Sequence, residues 1–307
     1  MIISLLVNLK LRIMNQSNGY LILNKPAGLT SFKVLKQLQK LVPEIRKIGH
    51  AGTLDAFASG VLVCLCGTYT GLTPYFMAQD KSYRARIEFG KETDTLDPEG
   101  TVTKTGAVPE KHEVLAALEQ FTGTIQQVPP QYSAVHVGGK RAYERALQEE
   151  HFTIDARSVT IYALTLEAWD PPFVDILVHC SKGTYIRSLA RDIGSYCGTC
   201  AYVKELERTA VGAFDYTQTC SLETVTGAAI RVLTPQSVQV LGLMPVILGA
   251  RSQEAVRNGK PLATIPELAS VIAEGTIAVF TREEKLLAII SKKNNRWSYE
   301  KVMAGVS

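Results

Sequence analysis

The sequence contains no long hydrophobic run, few cysteines and few aromatic residues. Its 307 residues include six cysteines, and aromatic side chains make up 7% of the total. The apolar stretch at the start, MIISLLVNLKLRI, is too short to span a bilayer and lacks the basic segment and cleavage site of a secretory signal. We therefore expect a cytoplasmic protein with reduced thiols, and we interpret residues 1–16 as an N-terminal extension.

The sequence also lacks a large excess of one charge sign and lacks repeated metal-ligand motifs. Lysine and arginine number 33 against 29 acidic residues, so the formal net charge is +4. This small excess is compatible with an anionic partner but is unlike a histone-type tail. Cys197 and Cys200 have C-x-x-C spacing, yet no second pair follows, as a four-cysteine zinc site requires. We predict no metal.

The residues that are present predict a globular α+β chain. Hydrophobic residues make up 46%, enough for a substantial core, and the length suggests about two domains. Apolar or alternating runs predict strands, and helical periodicity predicts helices. The predicted strands lie within 19–28, 60–67, 81–90 and 173–180, with two more in the tail, GTIAVFT and KLLAIISKK; the predicted helices are TSFKVLKQLQK, KHEVLAALEQF, TYIRSLARDIG and SQEAVRNGK.

The helix TSFKVLKQLQK combines an apolar stripe with a basic face. Thr30 or Ser31 is the candidate N-cap, and the stripe comprises Val34, Leu35, Leu38 and Leu41. The opposite face carries Lys33, Lys36 and Lys40. These lysines indicate either a solvated face or a patch that contacts phosphates.

The segment GHAGTLDAFASG, residues 49–60, presents a single carboxylate among small and apolar neighbours. A buried lone charge is costly, whereas a turn-capping aspartate is common. Glycines at 49, 52 and 60 would let another molecule approach the main chain closely. Asp55 is therefore either a capping residue or a functional carboxylate in a ligand-binding loop.

Six segments in order resemble the successive motifs of bacterial TruB-type tRNA pseudouridine-55 synthases. They are GYLILNKPAGLTSF, GHAGTLDAFASGVLVCLCG, KSYRARIEFG, PPQYSAVHVGGKRAYERA, CSKGTYIRSLARDIG and AYVKELERTAVG, from about residue 19 to residue 212. The resemblance implies an enzyme that isomerises uridine 55 in the T-loop of tRNA to pseudouridine. This isomerisation transfers no electron and needs no cofactor, and no protein partner is expected of a monomeric enzyme.

The resemblance also assigns roles to individual residues. Asp55 matches the catalytic aspartate, which acts as a nucleophile at C1′ or as a base at C2′. Arg187 matches the arginine that pairs with this aspartate and keeps it ionised. The other matches are substrate-binding residues: Tyr83 stacks on the extruded base, Tyr185 and Leu206 line its pocket, and His50 contacts the RNA loop.

Two positions depart from the family pattern. Ala56 follows the aspartate where the family usually has proline, so we expect a less restrained backbone there. Glu207 replaces a basic residue, which weakens the attraction for phosphate unless the side chain faces solvent or pairs with Arg208.

The implied fold is α+β, with a mixed, largely antiparallel sheet flanked by helices and a small β-rich, PUA-like C-terminal domain. We expect a catalytic domain over 17–247, with an RNA-binding insert at about 122–155, and the PUA-like domain over 248–307. Lys285, Lys292, Lys293 and Arg296 in this domain would suit contact with tRNA.

Three alternatives remain open. A non-catalytic tRNA chaperone would not need Asp55, Tyr83 and Arg187 together. A glycoside hydrolase would need a second carboxylate opposite Asp55, for which Asp94 and Asp97 are available in sequence only. An archaeal or eukaryotic guide-RNA relative of the family is disfavoured by the bacterial-type opening and insert.

Overall fold

The computed structural model describes residues 17–133, 135–148 and 150–303. The expected N-terminal extension, residues 1–16, lies outside the described residues. Of the helices in the described part of the chain, none has the length and apolar character needed to cross a membrane.

Helices and strands alternate irregularly along the chain. The strands are β1 (Gly19–Lys25), β2 (Ile48–His50), β3 (Ser59–Cys66), β4 (Lys81–Phe89), β5 (Lys91–Thr93), β6 (Val102–Thr105), β7 (Gly123–Gln127), β8 (His136–Val137), β9 (Lys140–Arg141), β10 (Arg157–Asp170), β11 (Phe173–Cys180), β12 (Ala201–Val211), β13 (Phe214–Asp215), β14 (Met244–Ile247), β15 (Gly275–Phe280), β16 (Leu286–Lys293) and β17 (Arg296–Val302). The helices are α1 (Ser31–Leu41), α2 (Thr73–Met77), α3 (Lys111–Gln120), α4 (Ala142–Ala146), α5 (Ile186–Tyr196), α6 (Ala250–Arg257) and α7 (Pro266–Ala269).

The main sheet has nine strands and is mixed but largely antiparallel. Its order is β1-β3-β12-β4-β11-β10-β7, with β2 paired to β3 and β13 paired to β12. Among its described strands, only β3 and β12 run parallel, through a short register at Glu207↔Ser59 and Arg208↔Gly60. Helices α3 and α5 pack on the β4–β11–β12 region, and α1 packs on β1 and β3. The α+β fold expected from the sequence is confirmed.

The side chains of strand β4 alternate between buried and more exposed positions, with one exception. Tyr83, Ala85, Ile87 and Phe89 are buried, as expected of one strand face. Glu88 belongs to the opposite face but is also buried. The Tyr202 hydroxyl donates to its Oε2 at 2.5 Å and Lys91 Nζ donates to its Oε1 at 2.9 Å, so this charge is satisfied.

Helix α1 begins as its sequence predicts, but its last residue does not join the buried stripe. The hydroxyl of Thr30, the N-cap, accepts a hydrogen bond from the Lys33 amide at 3.2 Å. Leu41 was expected in the buried stripe, but 52% of it is exposed. The helix stops at this residue, and Val42 turns into the core in its place with 1% exposure.

The second sheet comprises β14, β15, β16 and β17 in that order and packs on the main sheet. One hydrophobic cluster joins them. Phe280, Leu286 and Ile289 contribute from the second sheet and Met303 from just beyond its last strand. Tyr20, Val63 and Leu65 contribute from the main sheet, and Phe76 from α2. Strand β14 pairs with β15 although it precedes residue 248, the expected boundary. Strand β14 therefore belongs to the second sheet.

The expected insert at 122–155 divides into two parts. Residues 123–127 form β7, an edge strand of the main sheet that pairs with β10. The hairpin β8–β9 and the short helix α4 follow it. The part that extends beyond the sheet therefore begins at Val128.

Candidate active site

Five of the six residues singled out in the sequence line one cleft of about 450 Å³. Asp55 comes from the loop 51–58 between β2 and β3, hereafter the Asp55 loop, and Tyr83 from β4. Tyr185 and Arg187 lie at the start of α5, and Leu206 lies on β12. This volume falls within the range of small-molecule binding sites. Four parts of the chain that are distant in sequence thus converge on one concavity.

Asp55 and Arg187 form an ion pair in this cleft. Arg187 Nε lies 3.0 Å from Asp55 Oδ2, and Arg187 Nη2 donates to Asp55 Oδ1 at 3.2 Å. The Asp55 side chain is 34% exposed and faces the cleft, whereas the Arg187 side chain is only 6% exposed. The guanidinium therefore lies behind the carboxylate, which remains accessible to a ligand.

Arg187 is held by further partners, of which one is charged. Its Nη1 donates to Asp97 Oδ2 at 3.1 Å and to the Thr95 carbonyl at 2.9 Å. Its Nη2 also donates to the Tyr132 carbonyl at 2.9 Å. The guanidinium thus has a carboxylate on two sides, and its plane is set by hydrogen bonds from three segments.

Asp97 is a site residue that the sequence reasoning did not recognise. Its side chain is 6% exposed, and its Oδ1 accepts from the Thr95 hydroxyl at 2.6 Å and from the Glu99 amide at 3.1 Å. An acidic turn directly after a strand, ETDTLDPEG, was the available signal. Since both Asp97 oxygens are occupied by protein donors, Asp97 does not serve as the second free carboxylate that a glycoside hydrolase needs.

The pKa of Asp55 reflects opposing influences. Burial in the cleft raises the pKa of this carboxyl above its ordinary value, and Arg187 opposes this shift most strongly. The negative charge of Asp97 raises the pKa further, while Arg208 and Lys25 lower it. The ionised state of Asp55 therefore depends on the positive charge behind it.

Tyr83 and Arg208 form the floor of the cleft. Burial raises the pKa of the Tyr83 phenol, and a hydrogen bond with Arg208 opposes the shift. Arg208 is 1% exposed and donates from Nε to the Val61 carbonyl at 2.8 Å and from Nη2 to the Gly52 carbonyl at 3.1 Å. Glu207, whose pairing with Arg208 was considered, lies opposite Arg84 in the β12–β4 register instead.

The backbone around Ala56 is fixed by hydrogen bonds. The Ala56 carbonyl accepts from the Gly28 amide at 2.7 Å and from Lys25 Nζ at 3.2 Å. Lys25 is fully buried and also donates to the Pro26 and Leu29 carbonyls, and burial lowers its pKa to about 8. These contacts restrain the Asp55 loop at the position where proline is missing.

The glycines of this segment have different structural reasons. Gly60 has φ 104°, and a Cβ there would lie 2.3 Å from the Arg208 carbonyl oxygen. Close packing of β3 on β12, rather than the approach of a ligand, requires this glycine. Gly52 has φ 105° and does line the cleft. The expectation that ligand approach explains all three glycines was wrong for Gly60.

His50 is the one singled-out residue that does not line the cleft. It lies at the end of β2, opposite Cys64 of β3, and is partly buried. Burial lowers the pKa of its imidazole, and its Nδ1 has no hydrogen-bond partner among the described residues. The structure places it two residues before the cleft-lining Gly52.

Comparison with known proteins relates this architecture to one enzyme family. A model of the N-terminal domain of TruB family pseudouridylate synthases matches residues 39–186, and a model of the C-terminal domain of tRNA pseudouridylate synthase B matches residues 187–247. The tRNA pseudouridine synthase B of Borreliella burgdorferi is 40% identical over 92% of this chain and 98% of that protein. The corresponding protein of Syntrophomonas wolfei is 36% identical over 90% of this chain and 94% of its own length.

Solved structures agree with this assignment at the level of the fold. A chain in the crystal structure of a Cbf5-Nop10-Gar1 complex superposes with a TM-score of 0.70 at 25% identity, over 94% of this chain and 86% of that one. The two family models together span residues 39–247, and the Borreliella and Syntrophomonas proteins match over nearly their whole length. This chain therefore belongs to the TruB family of pseudouridylate synthases.

Proposed function

We propose that this protein isomerises uridine 55 in the T-loop of tRNA to pseudouridine, with Asp55 as the catalytic residue. The observation that carries the proposal is an accessible carboxylate backed by the buried Arg187, in a cleft with Tyr83 on its floor. The reaction breaks the bond between N1 and C1′, turns the uracil, and joins C5 to C1′, with loss of the C5 proton and gain of a proton at N1. One ionised carboxylate at the sugar suffices to start it.

The residues around Asp55 fit a flipped-out nucleotide. Asp55 acts as a nucleophile at C1′ or as a base at C2′, and Arg187 maintains its charge. The ring of Tyr83 stacks on the uracil, and Tyr185 and Leu206 close the sides of the pocket. His50, at the rim of the Asp55 loop, assists extrusion of the base from the T-loop.

The choice of tRNA as substrate is supported by the relatives. The proteins that match at 36–46% identity are named tRNA pseudouridine synthase B, whereas the Cbf5 complex chain is 25% identical. A free-standing enzyme acting on the T-arm without a guide RNA or protein partner is therefore favoured, and we expect it to be a cytoplasmic monomer. The segment after Val128 and the second sheet provide additional RNA contacts.

The test is to map pseudouridine in an unmodified tRNA transcript incubated with the purified protein. We expect modification at uridine 55 alone, and none in a transcript with cytidine at that position. Asp55→Asn should form no pseudouridine yet bind tRNA within a few-fold of wild type, because binding is distributed over many phosphate contacts. Wild-type turnover by Asp55→Asn would exclude the catalytic role, and modification at another uridine would exclude the proposed position. Remodelling of tRNA without any modification would support the chaperone alternative.

A further inference from the structure

A buried glutamine holds the backbone immediately before the catalytic-site helix. Gln127, the last residue of β7, is 1% exposed. Its side-chain Nε2 donates to the Tyr185 carbonyl at 3.1 Å, and its Oε1 accepts from the Tyr185 amide at 2.8 Å. Both ends of one amide thus engage both backbone polar groups of a residue 58 positions away. Only a side chain with a donor and an acceptor at this spacing can make both bonds.

The neighbouring contacts extend this connection along α5. The Ser188 hydroxyl donates to the Val128 carbonyl at 2.8 Å, and Arg191 Nη2 donates to the same carbonyl at 3.0 Å. Gln127 and Val128 are therefore bound to the residue that precedes α5 and to its first two turns. Arg187 lies between these contacts, one residue after the start of the helix.

We propose that Gln127 is a positioning residue for the isomerisation, acting through Tyr185 and Arg187. Gln127 is absent from the lining of the cleft and does not touch the reacting atoms. By fixing the backbone at Tyr185, Gln127 fixes the backbone position from which the Arg187 side chain extends. This position determines the two contacts of 3.0 and 3.2 Å between Arg187 and Asp55. The inference rests on the proposed roles of Asp55 and Arg187.

The two hydrogen bonds between Gln127 and Tyr185, hereafter the clamp, also affect the segment that follows β7. Gln127 is the last residue of the sheet before the segment that extends away from it, and Tyr132 in that segment accepts a hydrogen bond from Arg187. The clamp therefore holds the start of this segment and the arginine in one rigid arrangement. Loss of these hydrogen bonds should therefore lower the rate of the chemical step more than the affinity for RNA.

The first test is Gln127→Leu, which removes both hydrogen bonds at similar volume. We expect the single-turnover rate to fall roughly 10- to 100-fold, the effect of displacing a reacting group by about an ångström. The tRNA dissociation constant should change by less than the rate, because binding is distributed over many phosphate contacts and those outside this segment are unchanged. Weaker pairing with Arg187 should also move the rising limb of the pH–rate profile to higher pH. Gln120→Leu, the same change at an exposed residue of α3, is the control.

A second variant separates positioning from bulk packing. In Gln127→Glu the carboxylate still accepts from the Tyr185 amide but repels the Tyr185 carbonyl, while its protonated form restores the donor. Its rate relative to wild type should therefore fall as the pH rises. The rate of Gln127→Leu relative to wild type should rise with pH, because Asp55 in this variant ionises at a higher pH than in wild type. A structural defect alone would give both variants the same pH dependence.

The outcomes that overturn the inference are distinct. A wild-type rate for Gln127→Leu, or a lowered rate with parallel pH profiles for both variants, removes the positioning role. If Gln127→Leu does not fold, Ser188→Ala decides, since it removes only the bond to Val128: a several-fold slower rate with the same alkaline shift supports the clamp, and an unchanged profile refutes it. Asp55→Asn is measured in parallel, and activity in that variant would refute the proposed function instead.

Discussion

At the scale of single residues, the site is a buried arginine between two carboxylates with different exposures. Asp55 faces the cleft, and Asp97 is enclosed. Arg187 and the two carboxylates together carry one net negative charge. Arg187 and Asp97 shift the pKa of Asp55 in opposite directions. Removing either charge should therefore shift the pH–rate profile in a direction that can be measured.

Arg187→Met removes the positive neighbour. Burial already raises the pKa of Asp55, and Arg187 opposes that shift, so the variant should carry a still higher pKa. The ionised form is the active one, so residual single-turnover activity should rise with pH over a range where the wild-type rate is flat. Arg187→Lys retains the charge without the two-pronged geometry and should be slow with a profile near that of wild type. Identical profiles for wild type and Arg187→Met would leave Arg187 no electrostatic role.

Asp97→Asn should shift the pH–rate profile in the opposite direction. The negative charge of Asp97 raises the pKa of Asp55, so its removal should shift the rising limb of the pH–rate profile to lower pH. The rate on the plateau should still fall, roughly 10- to 100-fold, because the guanidinium loses a charged partner that orients it. Asp94→Asn, an exposed carboxylate in the same turn, is the matched control and should leave the profile in place. An alkaline shift in Asp97→Asn would contradict the assignment.

At the scale of elements, the Asp55 loop is held from three sides. The Ser31 hydroxyl at the start of α1 bonds the amide and the carbonyl of Leu54 at 3.0 and 2.9 Å. Lys25 reaches the Ala56 carbonyl from the end of β1, and Arg208 reaches the Gly52 carbonyl from β12. The position of the carboxylate therefore depends on how α1, β1 and β12 pack, and not on the local preference of the loop.

Gly60→Ala tests the contact between β3 and β12 that supports this loop. The added methyl group would meet the Arg208 carbonyl at 2.3 Å in a backbone with φ 104°, so we expect a loss of stability of more than about 1 kcal/mol. Urea unfolding measures this loss. Gly49→Ala is the control, because its nearest neighbour would be a Thr70 methyl at 3.8 Å, an ordinary contact. Equal midpoints for the two variants would show that the strands can separate without strain.

At the scale of the whole molecule, the second sheet is part of the hydrophobic core and not a free appendage. Ile289 belongs to the cluster that joins it to the main sheet, while Ile290 packs with α6 and α7 residues in a second cluster. Deletion of the second sheet would expose Tyr20, Val63 and Phe76 to water. Truncation therefore does not separate RNA binding from the chemical step.

Ile289→Ala should destabilise the protein as a unit. A buried Ile→Ala change costs about 2–5 kcal/mol, and we expect one cooperative transition at lower urea concentration, with activity lost in the same transition. Ile272→Ala is the control, because Ile272 is 89% exposed and its change should stay within about 0.5 kcal/mol. An early transition of the second sheet with the active site intact would show two independent units.

The sequence by itself determined much of the local structure and was sufficient to propose five of the residues that line the cleft. Its periodicity and capping signals located β1, β3, β4, β11, α1, α3 and α5, because hydrophobic alternation and N-caps act between neighbours in the chain. The ordered motifs were sufficient to propose Asp55, Tyr83 and Arg187 as one site. The strands β10, β12 and β17 were not predicted from these signals.

Only the tertiary structure decided how these residues work together. Asp97 and Arg187 are 90 positions apart, and Gln127 and Tyr185 are 58 apart, so that no local pattern links them. The same holds for Gly60, whose constraint comes from the backbone of β12, and for Lys25, which is buried against the Asp55 loop. Ion pairs and close backbone contacts depend on which strands become neighbours, and strand order is a property of the packed sheet and not of any one segment.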